Sequence, residues 1–118
     1  MRDHTKLRAF ELADEVALLT YKFTQSFPRE EQFGLTSQMR RAAVSVPSNI
    51  VEGCGRDSDA DFLRFLDMAY GSLRELEYQT SLASRLGFAP ADSDLPKRLV
   101  ETSKVLAALI RSRRKPNS

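Results

Sequence analysis

The sequence of 118 residues is 42% hydrophobic and 29% charged, which is typical of a folded domain and excludes a disordered chain. Its 18 basic and 16 acidic residues give a net charge of +2, which alone indicates no nucleic-acid partner. A single cysteine excludes an intrachain disulfide, and no segment approaches the roughly 18 apolar residues of a membrane span. The N-terminus also lacks the apolar stretch of a signal peptide. We therefore expect one domain over residues 1–118, located in the cytoplasm and without a membrane partner.

Apolar residues recur at the helical period in four segments of the chain. The first helix is predicted over residues 6–26, because Phe27 precedes a proline and is thereby disfavoured in a helix. The second helix is predicted over residues 37–52. The loop between them contains Phe33 and Leu35, and we expect both side chains to anchor it on the core.

The second helix contains a proline, Pro47, but its apolar positions stay in phase on both sides of that residue. We therefore predict a kinked helix that runs through the proline rather than one that stops there. Thr36 is predicted to be its N-cap, and either Gly53 or Gly55 is expected to supply a left-handed C-cap.

The third helix is predicted over residues 58–86 with Ser58 as its N-cap, and the fourth over residues 94–113 with Asp94 as its N-cap. Gly71 lies in the middle of the third helix, where glycine costs about 1 kcal/mol relative to alanine. We therefore assign it to the close approach of a neighbouring helix; the alternative is a glycine that is tolerated on the surface. Four helices joined by short loops predict an all-α fold, an antiparallel up-down four-helix bundle.

A second face of the predicted second helix carries polar side chains at helical spacing. These are Gln38, Arg41, Ser45, Asn49 and Glu52. A plain solvent-exposed face would be built of Lys and Glu, so amides and hydroxyls that satisfy each other at a helix or subunit contact explain this set better. The alternative is a solvated face with one or two structural ion pairs, for example between Arg41 or Arg64 and Glu52 or Glu75.

The sequence shows no arrangement of residues that is typical of catalysis. His4 is the only histidine, so Cys54 has no imidazole base that would activate it. The glycines on either side of Cys54 follow a helix rather than a strand, which argues against a dinucleotide-binding motif. We therefore expect no enzymatic activity, no metal and no cofactor.

Residues 35–56, LTSQMRRAAVSVPSNIVEGCGR, are followed by FLRFLDMAYGSLRELEYQ at 62–79, and together they resemble a bacterial family. This is the four-helix bundle family known from the intervening sequences of 23S ribosomal RNA genes. The matching residues are Leu35-Thr36, Gln38, Arg41-Ala42-Ala43, Ser45-Val46, Asn49-Ile50, Glu52-Gly53, Arg56, Phe65-Leu66, Ala69, Gly71-Ser72-Leu73 and Glu75.

The resemblance implies a ring-shaped homopentamer without catalytic residues. It also implies that polar residues of the second and third helices shape the subunit contacts or the central channel; the candidates are Gln38, Arg41, Ser45, Asn49, Glu52, Gly71, Ser72 and Glu75. A relative of the family is the accessory variability determinant of diversity-generating retroelements, a basic barrel that binds nucleic acid and a reverse transcriptase. The implied partners are therefore copies of the chain itself, RNA or DNA, and a reverse transcriptase or another protein.

Two functional hypotheses follow for the predicted bundle. The first is a non-enzymatic oligomeric scaffold that binds RNA or an RNA–DNA hybrid through phosphate contacts, largely independently of sequence. Its candidate contacts are Arg40, Arg41, Arg56, Arg64, Arg111, Arg113, Arg114 and Lys115. The alternative is a purely structural or protein-interaction oligomer with no nucleic-acid ligand.

Overall fold

The computed structural model describes residues 2–114, which form four long helices and, within that range, no strand. The helices are α1 (Arg8–Thr24), α2 (Leu35–Cys54), α3 (Asp59–Arg85) and α4 (Leu95–Arg113). Single turns of 3-10 helix, His4–Lys6 and Arg29–Glu31, precede α1 and α2. The prediction of four helices and an all-α fold is therefore confirmed.

Each helix packs against two others, in the order α1–α2–α3–α4 and back to α1, within dimensions of 50 × 22 × 20 Å. Contacts along α2 and α3 run in opposite directions: Ser45 meets Ser72, whereas Gly53, further along α2, meets Phe65, which comes earlier in α3. Neighbouring helices are therefore antiparallel, as in an up-down bundle.

The core is formed by the apolar stripes of all four helices. The stripe predicted for α2 is buried in full, and its members are Met39, Ala42, Ala43, Val46 and Ile50. The largest fully buried side chains of the other helices are Leu12, Val16, Phe23, Phe62, Leu66, Leu73, Leu76, Leu95 and Leu106. None of the helices in residues 2–114 combines the length and the apolar character that crossing a membrane requires.

The predicted N-cap of α2 is wrong. Helix α2 begins at Leu35, so Thr36 lies inside it, and Glu31 instead accepts a hydrogen bond on Oε1 from the Leu35 amide at 3.0 Å. Asp94 is the N-cap residue of α4 as predicted, but its side chain accepts no capping hydrogen bond in the described chain, and Ser93 Oγ accepts from the amide of Leu95 at 3.1 Å. A carboxylate one turn upstream and a serine two residues upstream are less regular cap positions than those that the sequence pattern favours.

The predicted N-cap of α3 is confirmed, since Ser58 Oγ accepts from the amide of Asp61 at 3.1 Å.

Helix α2 runs through Pro47 without stopping and continues to Cys54. The C-cap residue Gly55 has a φ of −83°, so the prediction of a left-handed glycine at position 53 or 55 is wrong. Within the described chain a positive φ occurs at Gly87, after α3.

Candidate assembly and nucleic-acid interface

Three of the polar residues predicted to form a network meet between α2 and α3. The Oγ atoms of Ser45 and Ser72 lie 2.8 Å apart. Asn49 Nδ2 donates to Ser45 Oγ at 2.9 Å and to the Ser45 carbonyl, one turn earlier in α2, at 2.8 Å. All three side chains are partly buried, so these hydrogen bonds satisfy polar groups that solvent reaches only in part.

Three further residues predicted for the network, Gln38, Arg41 and Glu75, line a groove together with Ser45 and Ser72. This α2/α3 groove has a volume of about 360 Å³ and is lined by Gln38, Arg41, Ala42, Ser45, Ser72, Glu75 and Gln79. Gln79 was missed from the sequence because it falls between the apolar positions Leu76 and Thr80–Ala83 of the α3 stripe. It is only 6% exposed, and its Oε1 has no hydrogen-bond partner in residues 2–114.

Glu52 does not join this network. Its Oε1 accepts from Arg56 Nη2 at 2.8 Å, one turn further along the chain. The example ion pairs of Arg41 or Arg64 with Glu52 or Glu75 do not form within residues 2–114, where Arg64 lies 3.7 Å from Asp61. The exposed Arg41 and the Glu52–Arg56 pair are nevertheless features that the alternative of a solvated face with one or two structural ion pairs expects.

Gly71 does not serve a close approach between helices of this chain. A Cβ atom built on it would meet nothing within 4 Å, because the residue lies on the exposed side of α3. The close approach is at Gly53 instead, where a Cβ would lie 2.9 Å from Phe65 Cβ and 3.3 Å from the Phe62 carbonyl oxygen. A role for Gly71 in contact with another copy of the chain stays a prediction.

Several of the candidate nucleic-acid contacts are already engaged with carboxylates. Arg56 pairs with Glu52 and Arg64 with Asp61, as described above, and Arg114 pairs with Asp67. Arg113 lies with its guanidinium carbon 5.5 Å from the centroid of the Phe62 ring, and Arg111 is exposed near the end of α4. Lys115 lies outside the described residues.

Arg40 and Arg41, like Arg111 and Arg113, pair with no carboxylate in the described chain. Arg40 Nε donates to Thr24 Oγ1 at 2.9 Å, and its guanidinium carbon lies 4.6 Å from the centroid of the Tyr21 ring. Arg41 is exposed on the outer side of α2. Both side chains therefore keep donors that a phosphate oxygen can accept from.

Arg40 and Arg41 line a larger groove between α1 and α2, with a volume of about 630 Å³. We call it the α1/α2 groove; its lining residues are Tyr21, Gln32, Phe33, Thr36, Ser37, Arg40, Arg41, Val44 and Ser45. Phe33 is 90% exposed at its edge, so the prediction that it anchors the loop on the core is wrong, whereas Leu35 is buried as expected. Leu35 is the first residue of α2 and lies four residues before Met39, in phase with the buried stripe, whereas Phe33 lies in the turn before the helix.

Cys54 is 2% exposed at the C-terminal end of α2, and burial raises the pKa of its thiol. The positive charges of Arg2 and Arg113 lower that pKa by less than burial raises it. In the described part of the chain, no three His, Cys, Asp or Glu side chains are grouped as metal ligands would be.

The model of one protein family, described as 23S rRNA-intervening sequence protein, matches residues 5–108 of the chain. The chain belongs to this family. The resemblance noted in residues 35–79 is thereby confirmed, over a longer stretch that includes α1 and most of α4.

A crystal structure from Bacteroides thetaiotaomicron is similar to this member of the 23S rRNA-intervening sequence family. It is described as a protein with unknown function from the S23 ribosomal protein family. The two chains are 25% identical and superpose with a TM-score of 0.77, over 87% of this chain and 98% of that one. No match is found among curated proteins.

Proposed function

We propose that this protein is a non-enzymatic homo-oligomer that binds nucleic acid through arginine side chains of α2. One observation supports nucleic-acid binding above the others: Arg40 and Arg41 are adjacent cations without a carboxylate partner in the described chain, and both line the α1/α2 groove. Arginine forks are suited to phosphate oxygens, and such contacts require no particular base sequence.

Self-association is supported by the α2/α3 groove. Gln79 Oε1 is buried there without a hydrogen-bond partner among residues 2–114, and a buried polar atom normally has one. Arg41 and Glu75 also line this groove, so it offers a cation and a carboxylate to a second copy of the chain. The number of copies is taken from the family resemblance, which implies a ring-shaped homopentamer; in such a ring the groove contacts a different surface of the neighbouring copy. Five copies at +2 each carry about +10, which increases the attraction for a polyanion.

Light scattering on the full chain tests the assembly. One copy has a mass of 13.3 kDa, and we expect a particle of five copies. Glu75→Arg should dissociate it by placing like charges in the groove, while Asp92→Arg, an equivalent change in the exposed loop before α4, should leave the mass unchanged. A wild-type mass of 13.3 kDa would refute the proposed assembly.

Fluorescence anisotropy with labelled RNA tests binding. Affinity should fall steeply between about 50 and 200 mM salt, because bound arginines displace counterions. Arg40→Ala should weaken binding, whereas the control Arg74→Ala removes an exposed arginine of α3 that is paired with Glu77 and should have a smaller effect. Absence of RNA binding at about 50 mM salt would count against the nucleic-acid function.

A purely structural oligomer is the second candidate, and it is favoured by the ion pairs that engage Arg56, Arg64 and Arg114. In that case Arg41→Ala or Asn49→Ala would change the particle mass, and the wild-type protein would bind no RNA. If Arg40→Ala, which lies outside the α2/α3 groove, keeps the wild-type mass and loses only RNA binding, the nucleic-acid function is supported.

A further inference from the structure

We propose that the α1/α2 groove holds single-stranded nucleic acid, with aromatic rings that stack on unpaired bases beside arginines that contact phosphates. The rings are those of Phe33 and Tyr21, and the arginines are Arg40 and Arg41. This inference rests on the nucleic-acid function proposed above. It adds the form of nucleic acid that is preferred and two uncharged contact residues, Phe33 and Tyr21.

Phe33 presents its ring to solvent from a fixed backbone. The residue is 90% exposed, although Leu35, two residues later, is buried. The turn around it is held by hydrogen bonds on both sides, from the Gln32 amide to the Arg29 carbonyl at 3.1 Å and from the Gly34 amide to the Glu31 carbonyl at 3.0 Å. Because the backbone of the turn is already held, only the Phe33 side chain has to be ordered when a ligand binds, which favours binding.

The opposite wall of the groove is held in place by side-chain contacts. Arg40 lies over the ring of Tyr21 and is anchored by the hydrogen bond from its Nε to Thr24 Oγ1. The Thr24 hydroxyl in turn donates to the Thr20 carbonyl at 2.9 Å, on the buried side of α1. The guanidinium plane of Arg40 is therefore oriented beside an aromatic ring, and unstacked bases pack on both kinds of surface.

The charge of the groove distinguishes it from other clefts of the described chain. Its nine lining residues include two cations and no carboxylate. Four smaller clefts each contain at least one carboxylate, contributed by Glu77, by Glu75, by Glu15 and Asp94, and by Asp67, respectively. A groove that combines cations with exposed rings is complementary to a ligand that is both anionic and aromatic.

Single-stranded nucleic acid meets this requirement better than a duplex does. In a duplex the base faces are stacked on one another, so only phosphates remain for Arg40 and Arg41 to contact. In a single strand the base faces are free, and each base that stacks on an aromatic side chain contributes roughly 1–3 kcal/mol, or about 5- to 150-fold in affinity. Sequence preference should be weak, because every base has a face that can stack.

The test compares labelled oligo(dT) of about 12 nucleotides, within the usual range of single-strand site sizes, with a duplex of the same length. We expect Phe33→Leu to weaken oligo(dT) binding by at least about fivefold and to leave duplex binding nearly unchanged. Phe33→Tyr keeps a ring and should bind as the wild type does. Tyr78→Leu removes an exposed ring of α3 outside the groove and should have no effect.

The outcomes separate this inference from the function on which it rests. If the wild-type protein binds neither oligonucleotide, both proposals fail. If it binds them and Phe33→Leu weakens neither, or weakens both equally, the stacking groove is refuted and the nucleic-acid function stands. If Phe33→Leu changes the particle mass in light scattering and leaves oligo(dT) binding intact, the groove is a contact between copies of the chain, and the single-strand proposal is overturned.

Discussion

The hydroxyl oxygens of Ser45 on α2 and Ser72 on α3 lie 2.8 Å apart, and this contact joins the two helices. Because Ser45 Oγ also accepts from Asn49 Nδ2 at 2.9 Å, the three side chains form one continuous set of hydrogen bonds. A shift of α2 along α3 by one residue would separate the hydroxyls, so the set fixes the register of the two helices as well as satisfying polar groups.

Ser72→Ala should lower the free energy of unfolding by about 1 kcal/mol, because it removes the partner of a partly buried hydroxyl. Ser48→Ala is the matched control, since Ser48 is exposed on α2 outside the hydrogen-bonded set, and it should change stability by less than about 0.5 kcal/mol. Urea unfolding at matched protein concentration measures both. Equal losses for the two variants would show that the Ser45–Ser72 contact contributes nothing.

Gly53 and Gly71 should respond to alanine with opposite signs. At Gly53 the new Cβ meets Phe65 Cβ at 2.9 Å, and overpacking of about 1–3 kcal/mol offsets the gain of about 1 kcal/mol in helix propensity. At Gly71 nothing lies within 4 Å, so only the gain of about 1 kcal/mol remains. Gly53→Ala should therefore melt at a lower temperature than the wild type and Gly71→Ala at a higher one. A stabilised Gly53→Ala would contradict the close packing of α2 on α3.

Features that depend on local periodicity could be predicted from the sequence. The buried stripe of α2 and the cap at Ser58 follow from spacing along one helix, and both are confirmed. The two glycines could not be told apart, because the cost of a Cβ depends on the neighbouring helix rather than on the sequence around the glycine. Gly71 was therefore assigned the role that Gly53 has.

The candidate site was predictable to a similar extent. Ser45 and Asn49 are four residues apart on one helix, so their contact follows from helical spacing. Glu52 continues the same spacing but pairs with Arg56, because a charged partner one turn away outcompetes a neutral network. The outward direction of Phe33 is set by the turn before α2, and turn conformation leaves little trace in a residue pattern.

Replacement of Pro47 by alanine should stabilise the protein. The proline lies inside α2 and provides no amide for the Ala43 carbonyl, a loss of about 3 kcal/mol in a regular helix. Alanine also gives the unfolded chain more freedom, which reduces the gain by about 0.4–1 kcal/mol, so we expect a net increase of about 2 kcal/mol in the free energy of unfolding.

Pro96 provides the control for this change. It lies in the first turn of α4, where no helical hydrogen bond is lost, so Pro96→Ala should bring no gain. Urea unfolding of the two variants makes the comparison. A less stable Pro47→Ala would mean that the bundle depends on a bend that the proline imposes on α2.

Cys54 should make stability depend on pH in the alkaline range. Burial raises the pKa of its thiol above the value of about 8.5 that a free cysteine has, so the folded chain keeps a proton that the unfolded chain releases. Stability from this group is therefore complete below pH of about 8.5 and is lost as the pH rises through the folded pKa. Urea unfolding across this range should show a steeper loss of stability with pH for the wild type than for Cys54→Ala, in which the other titrating groups are retained.

The same burial should make the Cys54 thiol react slowly with a disulfide reagent in the folded protein and quickly in the urea-unfolded protein. Parallel pH profiles together with rapid labelling of the folded protein would show that the thiol is open to solvent.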